Sequence, residues 1–467
     1  MIFAIDDEVR KTRTALVDGD TSERWTWLRL SDEVNRCRQA LSFAGKALVF
    51  HFCRNTPATV AWYLGAIEAG HAVALLSEKL DAEARSALLS AFHPEFVLCP
   101  ECPGEGYQAQ PQAGLWSATD TGDWPPIHSD LALLLSTSGS TGSPKMAQLT
   151  RGNIVANAAS IAEALDLTEE DRPVAHLPMH YSYGLSVINS HLLAGATSVM
   201  TNGSVIAADF WKSVAAEQCS SFSGVPYTYQ ILQRMGFDRL TPAQSILSMT
   251  QAGGKLDDKT IEQFRAIMAA RNGRFWVMYG QTEATARMSV LPAARLADKT
   301  GSAGCAIPGG TFAIATEDGL STQPGVTGEL VYRGPNVMLG YAFNRADLAK
   351  GDALGGVLHT GDRAELDAEG YVFILGRAKR DAKVFGLRIN MDDVEAMLRP
   401  HGPVAVVNGA DKLIIYCEFG EPAELRKLHA ELSARLSLHG SALDFRTIGK
   451  LPTGNTGKID YSRLMNS

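Results

Sequence analysis

LALLLSTSGSTGSPK, residues 131–145, joins five apolar residues directly to eight consecutive Ser, Thr and Gly residues, which Pro144 and Lys145 follow. This pattern predicts a buried strand that runs into a flexible loop. Backbone N–H groups, hydroxyls and a lysine can surround a phosphate, so phosphate binding is one interpretation and a solvated Ser/Gly linker is the other. The spacing of Gly139, Gly142 and Lys145 excludes a Walker loop.

Length and charge limit the functions that the chain can have. Its 467 residues favour two or more domains, and 45% hydrophobic with 20% charged residues is typical of globular proteins. The net charge of -8 argues against nonspecific binding to nucleic acid or to an anionic membrane. The opening MIFAIDDEVR carries acids where a secretory signal has basic residues, and no apolar run approaches the roughly 18 residues of a membrane span. A cytoplasmic protein with a small ligand and no membrane insertion is therefore expected.

The cysteines predict neither a disulfide framework nor a zinc site. Seven are scattered from Cys37 to Cys417, an odd number in a long chain. Cys99 and Cys102 have the spacing of a metal knuckle, but no second pair with similar spacing exists in the sequence. A structural metal is therefore disfavoured.

The order of apolar runs predicts an α/β protein. Up to about residue 300, short strand-like runs alternate with helical patterns, which indicates crossover units and mainly parallel sheets. Beyond that point, GELVYRG (328–334) and YVFILG (371–376) indicate a smaller β-rich subdomain. The charged segment GRAKRDAK (376–383) separates it from a compact α+β unit, in which Asn408 and Gly409 lie between two strand-like runs and predict a hairpin turn.

Three further polar segments are candidate ligand sites. YGQTEAT (279–285) follows the strand-like FWVM, and Glu283 in it could hold magnesium, although a capped helix start is the simpler interpretation. Asp362, in HTGD, could accept the hydroxyls of a ribose or could be an ordinary turn residue. Lys458 lies in the loop LPTGNTGK, where it could reach an anion or could simply be solvated.

Taken together, the motifs resemble those of a known family. STSGSTGSPK, YGQTE, GELVYRGPNVMLGY, HTGD, GRAKRDAKVFGLRINMDDVE and LPTGNTGK occur in this order. They are similar to the signature series of the adenylate-forming superfamily, which includes acyl-CoA synthetases, adenylation domains of peptide synthetases and beetle luciferases. The resemblance covers residues 15–464. It implies that ATP and Mg²⁺ activate a carboxylic acid as an acyl-AMP, with release of pyrophosphate, and that a thiol of coenzyme A or phosphopantetheine then accepts the acyl group.

The resemblance also implies roles for individual residues. The implied nucleotide contacts are Thr137, Ser138, Gly139, Ser140, Thr141, Gly142 and Lys145 to the β- and γ-phosphates, Tyr279 to adenine, Thr282 to the α-phosphate, Asp362 to the ribose, and Arg377 to the ribose or a phosphate. Lys458 is implied as the catalytic lysine, assisted by Thr282 and by Glu283, the magnesium ligand.

Domain motion is a further implication of the resemblance. It divides the chain into an N-terminal domain (1–376), a hinge (377–380) that contains Lys379, and a small mobile C-terminal domain (381–467). The small domain would present Lys458 for adenylation and would then rotate, so that Lys383 and Gly386 line the tunnel for the thiol. Two loops of one domain cannot occupy one position at the same time, which is why alternation is expected.

The resemblance also implies an acid pocket, formed by His180, Tyr181, Tyr183, Gly224, Gly253 and Gly254. In amino-acid-activating members of the family, an aspartate in the stretch that begins at His180 pairs with the substrate ammonium. MHYSYGLS (179–186) contains no carboxylate to pair with a substrate ammonium, so an α-amino acid is disfavoured. Two aromatic rings with small glycines favour an uncharged acyl or aryl group.

The identity of the thiol stays open at this point. The leading interpretation is an acid–thiol ligase that uses coenzyme A, and the first alternative is an acyl-AMP ligase that loads the phosphopantetheine of a carrier protein. A catalytically silent nucleotide-binding protein is the alternative from another class. The joint presence of Lys145, Glu283, Asp362, Arg377 and Lys458 argues against it. No feature supports or excludes a luciferase-like oxidative step.

Overall fold

The computed structural model describes residues 1–137, 145–377, 380–384, 387–409, 412–436, 438–453 and 459–465, and the following statements concern these residues. They form two compact units. The first unit comprises the described residues of 1–311 and 332–358, and the second comprises those of 312–331 and 359–467.

Eleven α-helices lie in the described part of the chain. In chain order they are α1 (Trp27–Ala40), α2 (Pro57–Glu68), α3 (Ala82–Phe92), α4 (Arg151–Ala164), α5 (Ser182–Ala194), α6 (Ala208–Ala216), α7 (Pro226–Met235), α8 (Asp258–Ala270), α9 (Met391–Leu398), α10 (Pro422–Leu436) and α11 (Tyr461–Met465).

The strands are numbered in the same way. They are β1 (Thr14–Asp18), β2 (Arg24–Thr26), β3 (Leu48–Cys53), β4 (Ala72–Ser77), β5 (Phe96–Leu98), β6 (Tyr107–Ala109), β7 (Leu115–Ala118), β8 (Leu131–Ser136), β9 (Met146–Thr150), β10 (Pro173–Ala175), β11 (Ser198–Met200), β12 (Ser221–Gly224), β13 (Ser248–Gln251), β14 (Arg274–Tyr279), β15 (Ser289–Leu291), β16 (Cys305–Ala306), β17 (Thr311–Thr316), β18 (Gly319–Ser321), β19 (Thr327–Arg333), β20 (Gly340–Ala342), β21 (Val357–Leu366), β22 (Val372–Arg377), β23 (Asp381–Val384), β24 (Leu387–Asn390), β25 (Val404–Gly409), β26 (Lys412–Cys417) and β27 (Leu443–Thr447).

One sheet of the first unit is built around the apolar run at residue 131. Its strand order is β20-β9-β8-β4-β3-β5-β7-β6. The inner strands β8, β4, β3 and β5 are parallel, and the outer pairs are antiparallel. Every residue of β3 is buried, as are the first five of β4 and of β8. A parallel strand covered on both faces needs such a continuous apolar run.

The other sheet of the first unit has the order β16-β15-β14-β13-β12-β10-β11-β1-β2. Its six central strands, β14 to β1 in that order, are parallel, and antiparallel strands close both ends. The loop after β14 and the start of α5 therefore lie beside a parallel sheet. Ligand sites in such sheets are commonly found at the carboxyl ends of the strands.

A buried ion pair joins distant segments of the first unit. The Arg345 guanidinium donates to the Glu95 carboxylate through Nη1 at 3.0 Å and Nη2 at 2.5 Å. Both side chains are 5% exposed, and Glu95 also accepts from the backbone N–H of Leu48 at the start of β3. Removing either partner would leave a buried charge unpaired.

The second unit contains three sheets. Strands β18-β17-β19-β21-β22, all wholly or mostly in this unit, form a five-stranded sheet, β23 pairs with β24, and β25-β26-β27 form a three-stranded sheet. Apolar side chains of α9, α10 and the last sheet form a separate core that includes Val394, Val406 and Leu432. This unit therefore has its own buried apolar cluster.

The α/β fold class predicted from the sequence is confirmed, with its mainly parallel sheets, β-rich part and α+β part. The hairpin of β25 and β26 is also confirmed, but its predicted turn is wrong. Asn408 and Gly409 belong to β25 and pair with Leu413 and Lys412, because the strands continue through these two residues.

Two other sequence predictions concern boundaries and membranes. The division into 1–376, a hinge and 381–467 stays a prediction. Within the described ranges, no helix is both long and apolar enough to cross a membrane.

Candidate active site

The glycine-rich loop begins and ends on two paired antiparallel strands. Ser136 of β8 lies opposite Met146 of β9. Next to this pair, the Thr137 backbone N–H and hydroxyl both approach the Lys145 carbonyl oxygen, at 3.1 and 3.4 Å. The sequence analysis did not predict β9, which follows the loop where a helix would be expected in a simple crossover unit. Pairing fixes both ends of the loop, so Lys145 has a defined position.

The YGQTEAT segment forms a tight turn after β14. Its Thr282–Ala284 part is one turn of 3-10 helix, so the alternative of a capped α-helix start is wrong. Gly280 is required at the beginning, since a Cβ there would overlap the carbonyl oxygen of Ala286. Tyr279, predicted to stack on adenine, is half-buried at the end of β14, and its hydroxyl accepts from the Gln281 amide at 3.3 Å.

Hydrogen bonds with Asn336 stabilise a strained backbone conformation in this turn. Thr285 has φ 64°, a conformation that is costly for a β-branched residue. Its hydroxyl donates to the Asn336 carbonyl oxygen at 2.7 Å. In return, the Asn336 amide donates to the carbonyl oxygens of Ala284, at 2.8 Å, and Arg287, at 3.2 Å. These contacts fix the path of the chain on both sides of Thr285.

Tyr341 connects two predicted phosphate-site residues. Its hydroxyl donates to Oε1 of Glu283 at 2.8 Å, and its ring lies 3.4 Å from Nζ of Lys145. Tyr341 reaches Lys145 because β20 pairs with β9, which places it opposite Ala147. One ring therefore holds a cation against its face and a carboxylate at its hydroxyl.

The predicted acid pocket borders the same turn. The hydroxyls of Ser182 and Thr282 are 3.0 Å apart, which joins the first residue of α5 to the turn. The next residue, Tyr183, is 4% exposed, and its hydroxyl is 2.8 Å from that of Thr250. Ser223 is 2.8 Å from the same Thr250 hydroxyl. The Tyr183 ring therefore has a fixed orientation.

Glycines make room for the aromatic rings of this pocket. A Cβ at Gly253, whose φ is +82°, would lie 2.5 Å from the Tyr181 hydroxyl. A Cβ at Gly224, the last residue of β12, would lie 2.9 Å from the Tyr229 ring. Gly254 is exposed beside Pro226, which makes it a peripheral member of the predicted pocket.

Burial keeps the titratable pocket residues neutral. It lowers the pKa of His180, with a smaller contribution from Lys79, and it raises the pKa of Tyr181 to about 12. Burial also raises the pKa of Tyr183, an effect that Arg287 partly offsets. His180 Nδ1 is buried without a hydrogen-bond partner in the described structure. These side chains form an apolar site with few, fixed polar groups, as ligand pockets commonly do.

Arg287 is the charged member of this region. It is 2% exposed, and its guanidinium lies 5.1 Å from the centre of the Tyr183 ring. Burial lowers its pKa to about 10, which leaves the side chain charged at neutral pH. The sequence analysis missed both Arg287 and Tyr341. The available signal for Arg287 was a charged residue within the mainly apolar run ATARMSVL. Tyr341 is the last residue of the quoted motif GELVYRGPNVMLGY.

The second unit holds the predicted ribose contacts. Asp362, on β21, is 4% exposed, and its backbone N–H donates to the Thr360 hydroxyl at 3.1 Å. It lies directly opposite Arg377 of β22 in the antiparallel pair, so the structure brings these two predicted residues together. The same strand pairing rules out the alternative of a plain turn residue for Asp362.

Several predicted residues are not located by the structure. Ser138, Gly139, Ser140, Thr141, Gly142, Lys379, Gly386 and Lys458 lie outside the described residues. The backbones of Arg377 and Lys383 belong to β22 and β23, without described side chains. Their roles stay predictions.

Comparison with known proteins identifies similar chains. The model of the AMP-binding enzyme family matches residues 4–342. A feruloyl-CoA synthase of Amycolatopsis sp is 30% identical over 345 residues, which covers 71% of this chain and 68% of the relative. A sulfoacetate–CoA ligase of Cupriavidus necator is 31% identical over 355 residues, covering 73% and 68%. The structure of o-succinylbenzoate CoA synthetase from Bacillus subtilis, in complex with its acyl-adenylate intermediate, superposes with a TM-score of 0.78 at 24% identity, covering 98% and 96%.

Proposed function

Because the chain belongs to the family of AMP-binding enzymes, we propose that it activates a carboxylic acid with ATP and transfers the acyl group to the thiol of coenzyme A. The observation that carries this proposal is the contact of Tyr341 with both Lys145 and Glu283, beside the Thr282 turn. A cation, a carboxylate and a hydroxyl meet there next to an apolar pocket. Adenylation needs groups of these kinds to stabilise the charge that develops on the phosphates.

Two bond exchanges make up the reaction. A carboxylate oxygen of the acid bonds to the α-phosphorus as the bond to the bridging oxygen breaks, and pyrophosphate leaves with the electron pair. The thiol then loses its proton, its sulfur bonds to the acyl carbon, and AMP leaves. Both reactants of the first step are anions, so positive charge and aligned donors must stabilise the transition state.

The described residues would share this work. Thr282 would donate to the α-phosphate, and Lys145 would stabilise the charge on the departing pyrophosphate. Tyr279 would stack on the adenine, with Asp362 and Arg377 at the ribose. Each role rests on the motif resemblance. Lys145 directly precedes β9, and, within the second unit, Asp362 and Arg377 lie opposite each other on β21 and β22.

Glu283 fits the magnesium ion that accompanies the nucleotide. Mg²⁺ at such sites takes one or two carboxylates and completes its shell with phosphate oxygens and water. Glu283 is half-buried and supplies one carboxylate. In the described part of the chain, no group of three or more His, Cys, Asp and Glu could hold a metal by itself. With one carboxylate from Glu283, the ion would take its other ligands from the phosphates of ATP and from water. The ion would in turn neutralise negative charge on these phosphates.

The remaining assignments belong to the small domain. Lys458 would bridge the carboxylate and the α-phosphate during adenylation. After rotation about the hinge (377–380) at Lys379, Lys383 and Gly386 would line the thiol tunnel. The phosphopantetheine of a carrier protein would undergo the same thiol chemistry, so carrier loading stays the alternative acceptor. A cytoplasmic location is part of the same proposal.

The substrate is proposed to be a small acid without an α-ammonium group. The pocket stretch 179–186 has no carboxylate, and buried Arg287 would repel a substrate cation. The named relatives activate feruloyl, sulfoacetate and succinylbenzoate groups, and none of these names denotes an amino acid.

Pyrophosphate exchange tests the proposal directly. Purified protein should catalyse ATP–pyrophosphate exchange with at least one member of a panel of fatty, aryl, dicarboxylic and amino acids, and should form a thioester with coenzyme A. Parallel assays with a carrier protein in its holo form identify the acceptor. Absence of exchange with every acid would contradict the proposal and favour a silent nucleotide-binding protein. Exchange with α-amino acids alone would refute the substrate class.

A further inference from the structure

Arg287 is a buried cation, and two of its three guanidinium nitrogens lack a partner among the described residues. Its Nε and Nη1 atoms are buried and have no hydrogen-bond partner in the described structure. A buried charged donor without an acceptor is unfavourable. Folding therefore retains an unsatisfied positive group here, which a bound anion would satisfy.

The position of Arg287 is fixed before any ligand arrives. Its carbonyl oxygen accepts from the amides of Asn157, at 2.9 Å, and Asn336, at 3.2 Å. Its guanidinium lies against Tyr183, which is itself held by Thr250. A cation packed on an aromatic face still has N–H groups free in its own plane, and these can bind a carboxylate in a bidentate way.

Arg287 lies against Tyr183, a residue of the predicted acid pocket. Tyr183, which contacts Arg287, directly follows Ser182, which contacts Thr282. Tyr183 also belongs to the apolar cluster that contains Tyr181, Val225 and Ala252, so Arg287 borders the predicted acid pocket. Trp276, in the same apolar cluster as Tyr183, adds a second buried donor, Nε1, that has no partner in the part of the chain described.

We propose that this pocket binds an acid whose acyl group carries a second anionic group, a carboxylate or a sulfonate, and that Arg287 holds that group while the first carboxylate reacts. This inference rests on the proposed function and specifies its substrate class. It revises the expectation of an uncharged acyl group, which took only Tyr181, Tyr183 and the glycines into account.

Matched pairs of acids test the inference. Pyrophosphate exchange is measured with hexanoate, adipate and 6-sulfohexanoate, and with phenylpropanoate and its para-carboxylate. The variants are Arg287→Met, which removes the charge at similar length, and Arg287→Lys, which keeps it without the planar fork. Arg239→Met serves as the control, since Arg239 is an exposed arginine with 85% of its side chain accessible.

Wild-type protein should show a higher kcat/KM for the diacid, or for the sulfonate, than for the matched monoacid. Arg287→Met should lose about 10-fold to 100-fold on that acid, the range for a hydrogen bond between charged groups, and should keep or improve its activity on the monoacid. Arg287→Lys should be intermediate, and Arg239→Met should match wild type. The sulfonate arm separates recognition of any anion from recognition of a carboxylate.

Four results would overturn the inference, and they separate its failure from that of the proposed function. Wild-type preference for the monoacids, or an equal loss on both acids in Arg287→Met, refutes the second anion and leaves the proposed function intact. Absence of exchange with any acid overturns both. If Arg287→Met does not fold, as judged by circular dichroism, equilibrium dialysis of each pair against wild-type protein with ATP decides. Equal binding of monoacid and diacid then refutes the inference.

Discussion

Tyr341 offers a test of the phosphate site, because its two contacts can be removed separately. Tyr341→Phe deletes the hydroxyl that donates to Glu283 at 2.8 Å and keeps the ring against Lys145. Tyr341→Leu removes both contacts. The backbone pairing with Ala147 does not depend on the side chain, so β20 should persist in both variants.

The size of each effect follows from the type of contact. A hydrogen bond to a charged group contributes about 1.5–3 kcal/mol, and a half-buried one belongs at the lower end, which corresponds to about a 10-fold loss. A cation on an exposed ring contributes about 0.5–1 kcal/mol, a further factor of about 2 to 5. We therefore expect about a 10-fold loss of kcat/KM for Mg·ATP in Tyr341→Phe and about 20- to 50-fold in Tyr341→Leu.

The assay is ATP–pyrophosphate exchange at saturating acid, with Mg²⁺ and ATP varied independently. Because Tyr341→Phe leaves Lys145 in place and frees Glu283, its defect should be largest at low Mg²⁺. Tyr227→Phe is the matched control, since Tyr227 is 54% exposed. The reasoning is refuted if both Tyr341 variants stay within twofold of wild type, or if the defect is independent of Mg²⁺.

Three further outcomes are expected. Lys458→Ala should abolish adenylate formation and largely spare thioester formation from supplied acyl adenylate, and equal losses in both half-reactions would refute its assignment. Glu95→Gln should lower the free energy of unfolding by about 3–5 kcal/mol in urea titrations, because it leaves Arg345 charged and buried. The double variant Glu95→Leu/Arg345→Met should recover part of that loss, and an undiminished loss would contradict the explanation. Burial raises the pKa of the Cys53 thiol to about 12, so at pH 8 only about one thiol in 10,000 is ionised. Iodoacetamide should therefore label exposed Cys102 in the native protein and Cys53 only after denaturation, as mass spectrometry would show.

Buried strands could be predicted from the sequence, because a strand that is covered on both faces appears as a continuous run of apolar residues. Strand β8 is a continuous apolar run, and a buried strand was expected at that position. The run MAQLT after the loop carries no comparable signal. It becomes strand β9 because β8 and β20 pair with it from both sides, and a partner such as β20 lies almost 200 residues away. Asn408 and Gly409 were misassigned for a related reason, since pairing with β26 extended the strand through a typical turn sequence.

The candidate site was predictable as motifs and not as contacts. Polar residues beside glycines identified three candidate segments from the sequence: the loop after β8, the turn at Thr282 and the segment around Asp362. Tyr341 and Glu283 are in contact although 58 residues separate them in the sequence. Arg287 and Tyr183 also lie in different parts of the sequence. Neither contact is encoded in local periodicity. Arg287 in particular reads as an ordinary charge until its burial is known.

The segment 336–341 explains why the two halves of the site stay in register. Asn336 holds the carbonyl oxygens of Ala284 and Arg287, and the Met338 N–H donates to the Glu283 carbonyl oxygen at 2.9 Å. Tyr341, at its other end, contacts the Glu283 side chain. The turn that would bind the nucleotide and the arginine that would bind the acid are thus supported by one short segment. Because catalysis of adenylation depends on holding two anions at a fixed separation, a single support for both is a direct means of preorganising them.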